Sequence, residues 1–296
     1  FVNSLSLHQN VLFMVKAYQK NEQLLADIHR SNVEDSNFRL WWLGQSGYLL
    51  QWKGKHLLMD PYLSDSLTKK YALTQKPHIR MSELVLNPAE LDFIDVVTSS
   101  HNHTDHLDAE TLIPLIQKNP AMRLIIPEAN RAFVANRIRQ AIDFPIGLDA
   151  GQHIEQAGFH ISAVPAAHEK LEKDEAGRHK FLGYIITFGT WTLYHSGDTI
   201  LYDGMVNILR KSKIDVAILP INGKEAKRKV AGNLNAKEAA TLAREIGAGM
   251  VIPCHYDMFT FNTANPADFV LEAASLNQSY AVLRVGEKWS SESLRF

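Results

Sequence analysis

The sequence predicts an α/β fold in which two mixed β-sheets pack face to face with helices outside. Three observations lead there. Short, closely spaced apolar strands open the chain and recur after its midpoint. Each run of strands gives way to alternating strands and helical patterns, as parallel strands with crossover helices require. The chain of 296 residues is 46% hydrophobic and 21% charged, which suits an ordinary globular core and excludes disorder and collagen-like repeats.

Each element has its own justification. From His8 to Arg30, Val11, Leu12, Val15, Tyr18, Leu24, Leu25 and Ile28 fall at roughly helical spacing, so an amphipathic helix packed on the main body is expected. Its polar face lacks the Lys/Arg concentration of a membrane-surface helix. Strands follow at Phe38 to Leu43, Tyr48 to Trp52 and His56 to Met59, joined by Gly44-Gln45-Ser46-Gly47 and Lys53-Gly54-Lys55 and closed by Asp60-Pro61. Tyr62 to Glu90 carries few periodic signals and reads as a functional lid or edge.

Ile94 to Thr98 is a buried strand, and helices at Ala109 to Gln117 and Asn130 to Gln140 flank the strand Arg123 to Ile126. Strands recur at His160 to Val164, Gly183 to Phe188 and Trp191 to His195. The last third alternates: helix Asp203 to Lys211, strand Val216 to Pro220, helix Ala236 to Ile246, strand Met250 to Pro253, helix Pro266 to Leu276 and strand Tyr280 to Val285. Without a Pro/Ser-rich linker or low-complexity segment, residues 38–296 read as one domain, with 1–37 a helical extension.

Thirty-one Lys+Arg against 32 Asp+Glu leave a net charge of −1, so no global field favours nucleic acid or an anionic membrane. The single cysteine, Cys254, excludes an internal disulfide framework and suits a reducing, cytoplasmic location. No apolar run approaches the roughly 20 residues that span a bilayer. The first residue is Phe1, as in a chain whose start has been trimmed.

The chemistry concentrates in Ser100-His101-Asn102-His103-Thr104-Asp105-His106, directly after a buried strand. A loop at a strand end can turn several of these side chains inward. Neutral imidazole and carboxylate suit zinc and other first-row ions. Isolated ligand types stand at other strand ends: His168 after Ala163 to Ala167, Asp198 after Trp191 to Tyr194, and His255 after Val251 to Cys254. Singly, each reads as a cap or a turn residue. Together they recur at one topological position.

His-x-His-x-Asp-His followed by a lone His, a Gly-Asp and a late strand-end His resembles the metallo-β-lactamase fold superfamily, over about Trp41 to Val285. The resemblance implies a four-layer αββα sandwich with two divalent metal ions in a groove along the sheet edges. It implies that His101, His103 and His168 hold one metal, and that Asp105, His106 and His255 hold the second, with Asp198 bridging. Asp60, in Leu57-Leu58-Met59-Asp60-Pro61, matches an early buried Asp that supports the ligand loop. Turn capping is its alternative. Leu40-Trp41-Trp42-Leu43-Gly44, Leu193 to Asp198 and Ile252 to Asp257 look like the branch of bacterial L-ascorbate-6-phosphate lactonases, and more distantly the N-acylphosphatidylethanolamine phospholipases D. The plain His168 departs from the lactonase pattern, which leaves another substrate open.

The expected chemistry is hydrolysis by a metal-bridging hydroxide, with no Ser or Cys nucleophile needed. Asp105 is the candidate to ligate and shuttle the proton. Zinc, manganese and iron all suit ligands without thiolate. The substrate expected is a small anionic ester, a lactone in particular, with Lys224, Arg228 and Tyr256 as candidate contacts. The charged run Lys224 to Lys229 reads equally well as a solvated loop. His195, three residues before Asp198, is a candidate support for the site or a plain strand-end contact, and His8, His29, His56, His78, His153 and His160 are left structural.

The alternative function is a phosphodiesterase on nucleotide or phospholipid. The near-neutral charge argues against a nucleic-acid footprint. Membrane association would fall to the N-terminal helix, and a homo-oligomer is compatible with the sequence. A di-iron redox protein would bring a flavin-bearing domain for which there is no motif. A non-catalytic scaffold would have lost ligands, whereas all seven are present.

Overall fold

The computed structural model describes residues 14–33, 35–225 and 232–294. In the first half, β1 (Phe38–Gly44), β2 (Gly47–Trp52) and β3 (Lys55–Met59) form an antiparallel meander. β4 (Val96–Thr98), β5 (Arg123–Pro127) and β6 (Ile146–Leu148) then extend the sheet in parallel. In the second half, β7 (His153–Gln156), β8 (Phe159–Pro165), β9 (Leu182–Phe188) and β10 (Trp191–His195) are antiparallel. β11 (Val216–Pro220) and β12 (Met250–Cys254) follow in parallel.

The result is a seven-stranded sheet, β13-β1-β2-β3-β4-β5-β6, and a six-stranded sheet, β12-β11-β10-β9-β8-β7, where β13 is Lys288–Ser290. Apart from β13, which returns to pair with β1, each half of the chain builds one sheet by the same recipe of meander, then crossovers.

The sheets meet through aromatic side chains, Phe38 against Phe188 at 5.2 Å and Trp52 against Phe188 at 5.6 Å between ring centroids. Every residue of β1 is buried, because one face meets the second sheet and the other is covered in turn. The helices α1 (Asn21–Arg30), α2 (Ser66–Tyr71), α3 (Ala109–Lys118), α4 (Arg131–Arg137), α5 (Met205–Leu209), α6 (Ala236–Glu245) and α7 (Pro266–Ser275) complete the two mixed sheets flanked by helices. Asn235 opens α6 with a capping box: its side chain accepts from Glu238 N while Glu238 accepts from Asn235 N. Among the described residues no helix is long and apolar enough to cross a membrane.

Three expectations are corrected. The helix foreseen from His8 begins only at Asn21, and residues 1–13 lie outside the described residues. Residues 15–20 form no helix, because lateral partners take their backbone groups: Val15 N donates to Met81 O, Glu83 N to Val15 O, and Tyr18 N to Val285 O. Tyr280 to Val285 is not a strand. It makes one parallel bridge, Tyr280 to Val251, before the chain turns at Gly286 into β13. The irregular stretch from Tyr62 to Glu90 holds α2 and a short 3-10 turn at Pro88–Glu90.

Candidate metal centre

The candidate ligands leave the strands at one edge of the sandwich. β3 leads to Asp60, β4 runs into the loop 101–106, and β8, β10 and β12 lead to His168, Asp198 and His255. The structure brings all seven together. Ligand atoms of His101, His103 and His168 lie within 4.8 Å of one another, as do those of His101, His106 and Asp198, and those of Asp105, His106 and His255. Asp198 Oδ1 is 3.3 Å from His106 Nε2, while its Oδ2 is 3.4 Å from His255 Nε2 and 3.9 Å from His168 Nε2. One carboxylate therefore faces both halves of the cluster.

For His168 and His106 the contact on the far side of the ring fixes which nitrogen points inward. His168 Nδ1 donates to Gly232 O at 2.9 Å, which leaves the Nε2 lone pair free to ligate. His106 Nδ1 lies 2.6 Å from Asp60 Oδ2 and does the same for its Nε2. The other contacts of Asp60 hold the loop: Ser100 N donates to Oδ1 at 2.7 Å and Ser100 Oγ to Oδ2 at 2.5 Å. Asp60 is fully buried at a backbone φ of 41°, a strained left-handed geometry for a non-glycine residue, so it serves the buried loop rather than capping a surface turn. Gly197 is required where it stands, since its φ is 58° and a Cβ there would collide with the Ser100 side chain and push the Asp198 turn off the ligand loop.

Burial pulls His101 well below the usual histidine range, aided by the neighbouring imidazoles, so the ring is neutral and one of its nitrogens offers a lone pair. Burial also pulls on His106, but Asp198, Asp105 and Asp60 outweigh it and raise that imidazole well above the usual value, so the carboxylates favour a proton on this ring that a cation would have to displace. Burial pushes the Asp198 carboxyl up, yet His106 and His255 overcome this and keep it well below the usual carboxylate range. The donor set fits divalent cations on a further count: His101 Nε2, His106 Nε2 and Asp198 Oδ1 are buried without a hydrogen-bond partner. A buried polar atom left so costs about 1–3 kcal/mol. Three such atoms on one cluster are what a bound cation would satisfy.

Over the cluster lies a cavity of about 510 Å³. His103, Asp105, His168, Asp198 and His255 form its floor, while Lys70, Tyr71, Lys76, His78, Phe259 and Phe261 line one wall and Phe133 and Arg137 stand elsewhere around it. His78 stacks on Tyr71 at 4.1 Å and meets Phe261 edge-on at 4.4 Å. Arg137 donates to Asn102 O and Leu107 O, so it ties the ligand loop to α4.

The substrate contacts foreseen from sequence fare differently. Tyr256 does not face the cavity: it is buried, its hydroxyl donates to Leu283 O, and its ring lies 4.3 Å from Trp42. The reason is local, since His255 adopts a φ of 66° and the turn sends its neighbour into the core. Lys224 is exposed and is not among the described residues that line the cavity, and Arg228 lies outside the described residues. His195 is fully buried, with Nε2 3.0 Å from Ser46 O, so it braces the β1–β2 turn. Cys254 is buried and its thiol pushed up by burial, which does not suit a nucleophile.

Sequence reasoning missed Gln45, Lys70, Lys76, His78 and Arg137. Gln45 reads as a turn residue in Gly44-Gln45-Ser46-Gly47, yet its Nε2 lies 2.7 Å from Asp105 Oδ2 and 3.1 Å from His255 Nε2. The wall residues Lys70 to His78 sit in the stretch without periodic signal, where only a functional lid was foreseen.

Comparison with known proteins agrees with this architecture. The model of the beta-lactamase superfamily domain matches residues 39–255. A metal-dependent hydrolase from Methanosarcina mazei is 27% identical over 239 residues, covering 79% of this chain and 90% of its own length. One from Saccharolobus solfataricus is 25% identical over 253 residues, 84% of this chain and 97% of its own. Among solved structures, the metallo hydrolase Igni18 from Ignicoccus hospitalis has the same fold, with a TM-score of 0.63 at 21% identity over 86% of this chain and 98% of its own.

Proposed function

The chain belongs to the beta-lactamase superfamily, and from that membership we propose that it is a metal-dependent hydrolase of a small anionic ester, in first place a lactone. The observation that carries the reading is the cluster itself: seven candidate ligand side chains converge at one edge of the sandwich, with His101 Nε2, His106 Nε2 and Asp198 Oδ1 buried and unpartnered. His101, His103 and His168 would hold one divalent cation and Asp105, His106 and His255 the other, with Asp198 between them. Zinc and manganese are the first choices, and iron suits the same donors. Such a pair supplies a nucleophile from water at neutral pH and Lewis acidity at the carbonyl oxygen.

The chain's own residues do the rest. Asp105 is 16% exposed against 4% for Asp198, so it is the carboxylate placed to take and return a proton on the cavity side. Lys70 and Lys76 supply the cations of one cavity wall, and among the described lining residues the carboxylates are those of the cluster floor, which favours an anionic substrate. Tyr71, Phe259 and Phe261 give that wall an apolar part that excludes water. A small-molecule substrate and a cytoplasmic location accompany this reading.

The test is a screen of metal-replete protein against lactones, carboxylic esters and phosphodiesters, with Asp198→Ala as control. Lactone turnover that Asp198→Ala abolishes, together with depleted metal, is the expected result. Turnover confined to phosphodiesters would move the substrate class, and a fully active Asp198→Ala would remove the cluster from the chemistry.

A further inference from the structure

We propose that Gln45 is an additional ligand of the second cation position, offering its side-chain carbonyl beside Asp105, His106 and His255. The inference rests on the two-cation reading of the cluster. Gln45 is fully buried in the turn between β1 and β2 and held at a φ of 52°. Its neighbours keep it there: Gln45 O accepts from Trp42 Nε1 at 3.0 Å and from His255 N at 3.0 Å. The backbone of one candidate ligand is therefore bonded directly to that of another.

The amide end facing the cluster stands 2.7 Å from Asp105 Oδ2 and 3.1 Å from His255 Nε2. Both atoms belong to the donor group of the second position. Separations near 3 Å are those expected between neighbouring ligands that each stand roughly 2.0–2.2 Å from one ion.

The two ends of a glutamine amide have nearly the same shape, and the partners decide which one faces a given group. Facing Asp105 and His255 as acceptors, the nitrogen end is satisfied. The oxygen end is then buried without a partner. A divalent cation at this position takes the lone pairs of Asp105 and His255, and an N–H end pointed at it would be repelled. Turning the amide over replaces that repulsion by a carbonyl–cation contact. It breaks no hydrogen bond at the far end, because the oxygen there has none to lose.

The test compares wild-type protein with Gln45→Leu and Gln45→Glu. Calorimetric titration of chelator-treated protein with zinc gives the affinity of each equivalent, and visible absorption of the cobalt(II)-loaded protein reports its ligands. Gln45→Leu should keep the first equivalent, bind the second at least about 10-fold more weakly, and alter the cobalt bands of the second. Gln45→Glu, which restores an oxygen ligand, should recover the second equivalent.

An unchanged second equivalent in Gln45→Leu overturns the proposal. So does weaker binding with unaltered cobalt bands, which would place Gln45 outside the ligand sphere as a support of Asp105. If Gln45→Leu binds neither equivalent, Gln45→Glu decides, and loss of the second equivalent there also overturns it. Wild-type protein that takes up no second equivalent would instead defeat the two-cation reading itself.

Discussion

His106 Nδ1 and Asp60 Oδ2 lie 2.6 Å apart, with both side chains wholly shielded from solvent. The pair joins the end of β3 to the ligand loop after β4, and it decides which nitrogen of His106 reaches the cluster. A carboxylate at this distance demands a proton on Nδ1, so Nε2 is the nitrogen turned toward the cluster.

Asp60→Asn therefore tests how the ligand loop is oriented. The amide oxygen can still accept from Ser100 N, but an amide NH2 facing His106 would ask Nδ1 to accept and would put the proton on Nε2. Metal affinity should fall by roughly 10- to 100-fold, as for other residues that orient ligands. Thermal unfolding should also show a loss of roughly 3–5 kcal/mol, the cost of breaking a buried pair. Unchanged zinc affinity would show that Asp60 does not set the tautomer.

Lys70 and Lys76 line the cavity as solvent-reached cations rather than as buried ones. Each is then worth up to about 1 kcal/mol toward an anionic substrate. Lys70→Ala/Lys76→Ala should raise KM for an anionic lactone by about 5- to 20-fold, by the conversion of 1.4 kcal/mol per factor of ten. KM for a neutral lactone of the same ring size should stay level, and the difference between the substrates should shrink as salt is added. An equal rise for both substrates would assign the loss to the shape of the wall instead.

His56 makes stability depend on pH at a distance from the chemistry. Burial draws its imidazole from 6.5 down to about 4, against the raising effect of Asp95. Its Nε2 lies 2.9 Å from Gln51 Nε2, whose amide also donates to Ile28 O, an arrangement that suits a neutral, accepting ring. Because the folded value lies below the unfolded one, the unfolded chain binds the extra proton between them. This contribution is complete above pH 6.5 and falls away as pH drops toward 4, by up to about 3 kcal/mol. Urea unfolding at pH 7 and pH 4.5 should show a smaller loss in His56→Phe than in wild type. Equal losses would exclude His56 as the source.

The legibility of this molecule in its sequence follows from where the physical signals are strong. β1, β2 and β3 were readable because continuous apolar runs are punctuated by glycine turns, and the loop from His101 to His106 because few other roles explain three imidazoles and a carboxylate so close together. The edge strands β6 and β7 were not, since half-exposed segments of three and four residues carry no hydrophobic period. Gln45 was hidden by its context, because Gly-Gln-Ser-Gly describes a turn whether or not the glutamine points at a ligand. Tyr256 was misread for the opposite reason. Adjacency to His255 suggested a shared cavity, but at a strand end with positive φ successive side chains diverge. Where Val15 to Lys20 lies was beyond any local pattern, because distant backbone groups at Met81, Glu83 and Val285 settle it.

Elemental analysis of protein purified without chelator, paired with anomalous diffraction at the edge of the metal found, tests the paired-cation centre most directly. The account predicts two divalent ions per chain, one among His101, His103 and His168 and the other among Asp105, His106 and His255, with Asp198 touching both. Protein that stays free of metal when saturated with zinc and manganese, or an ion seated away from these side chains, would contradict it.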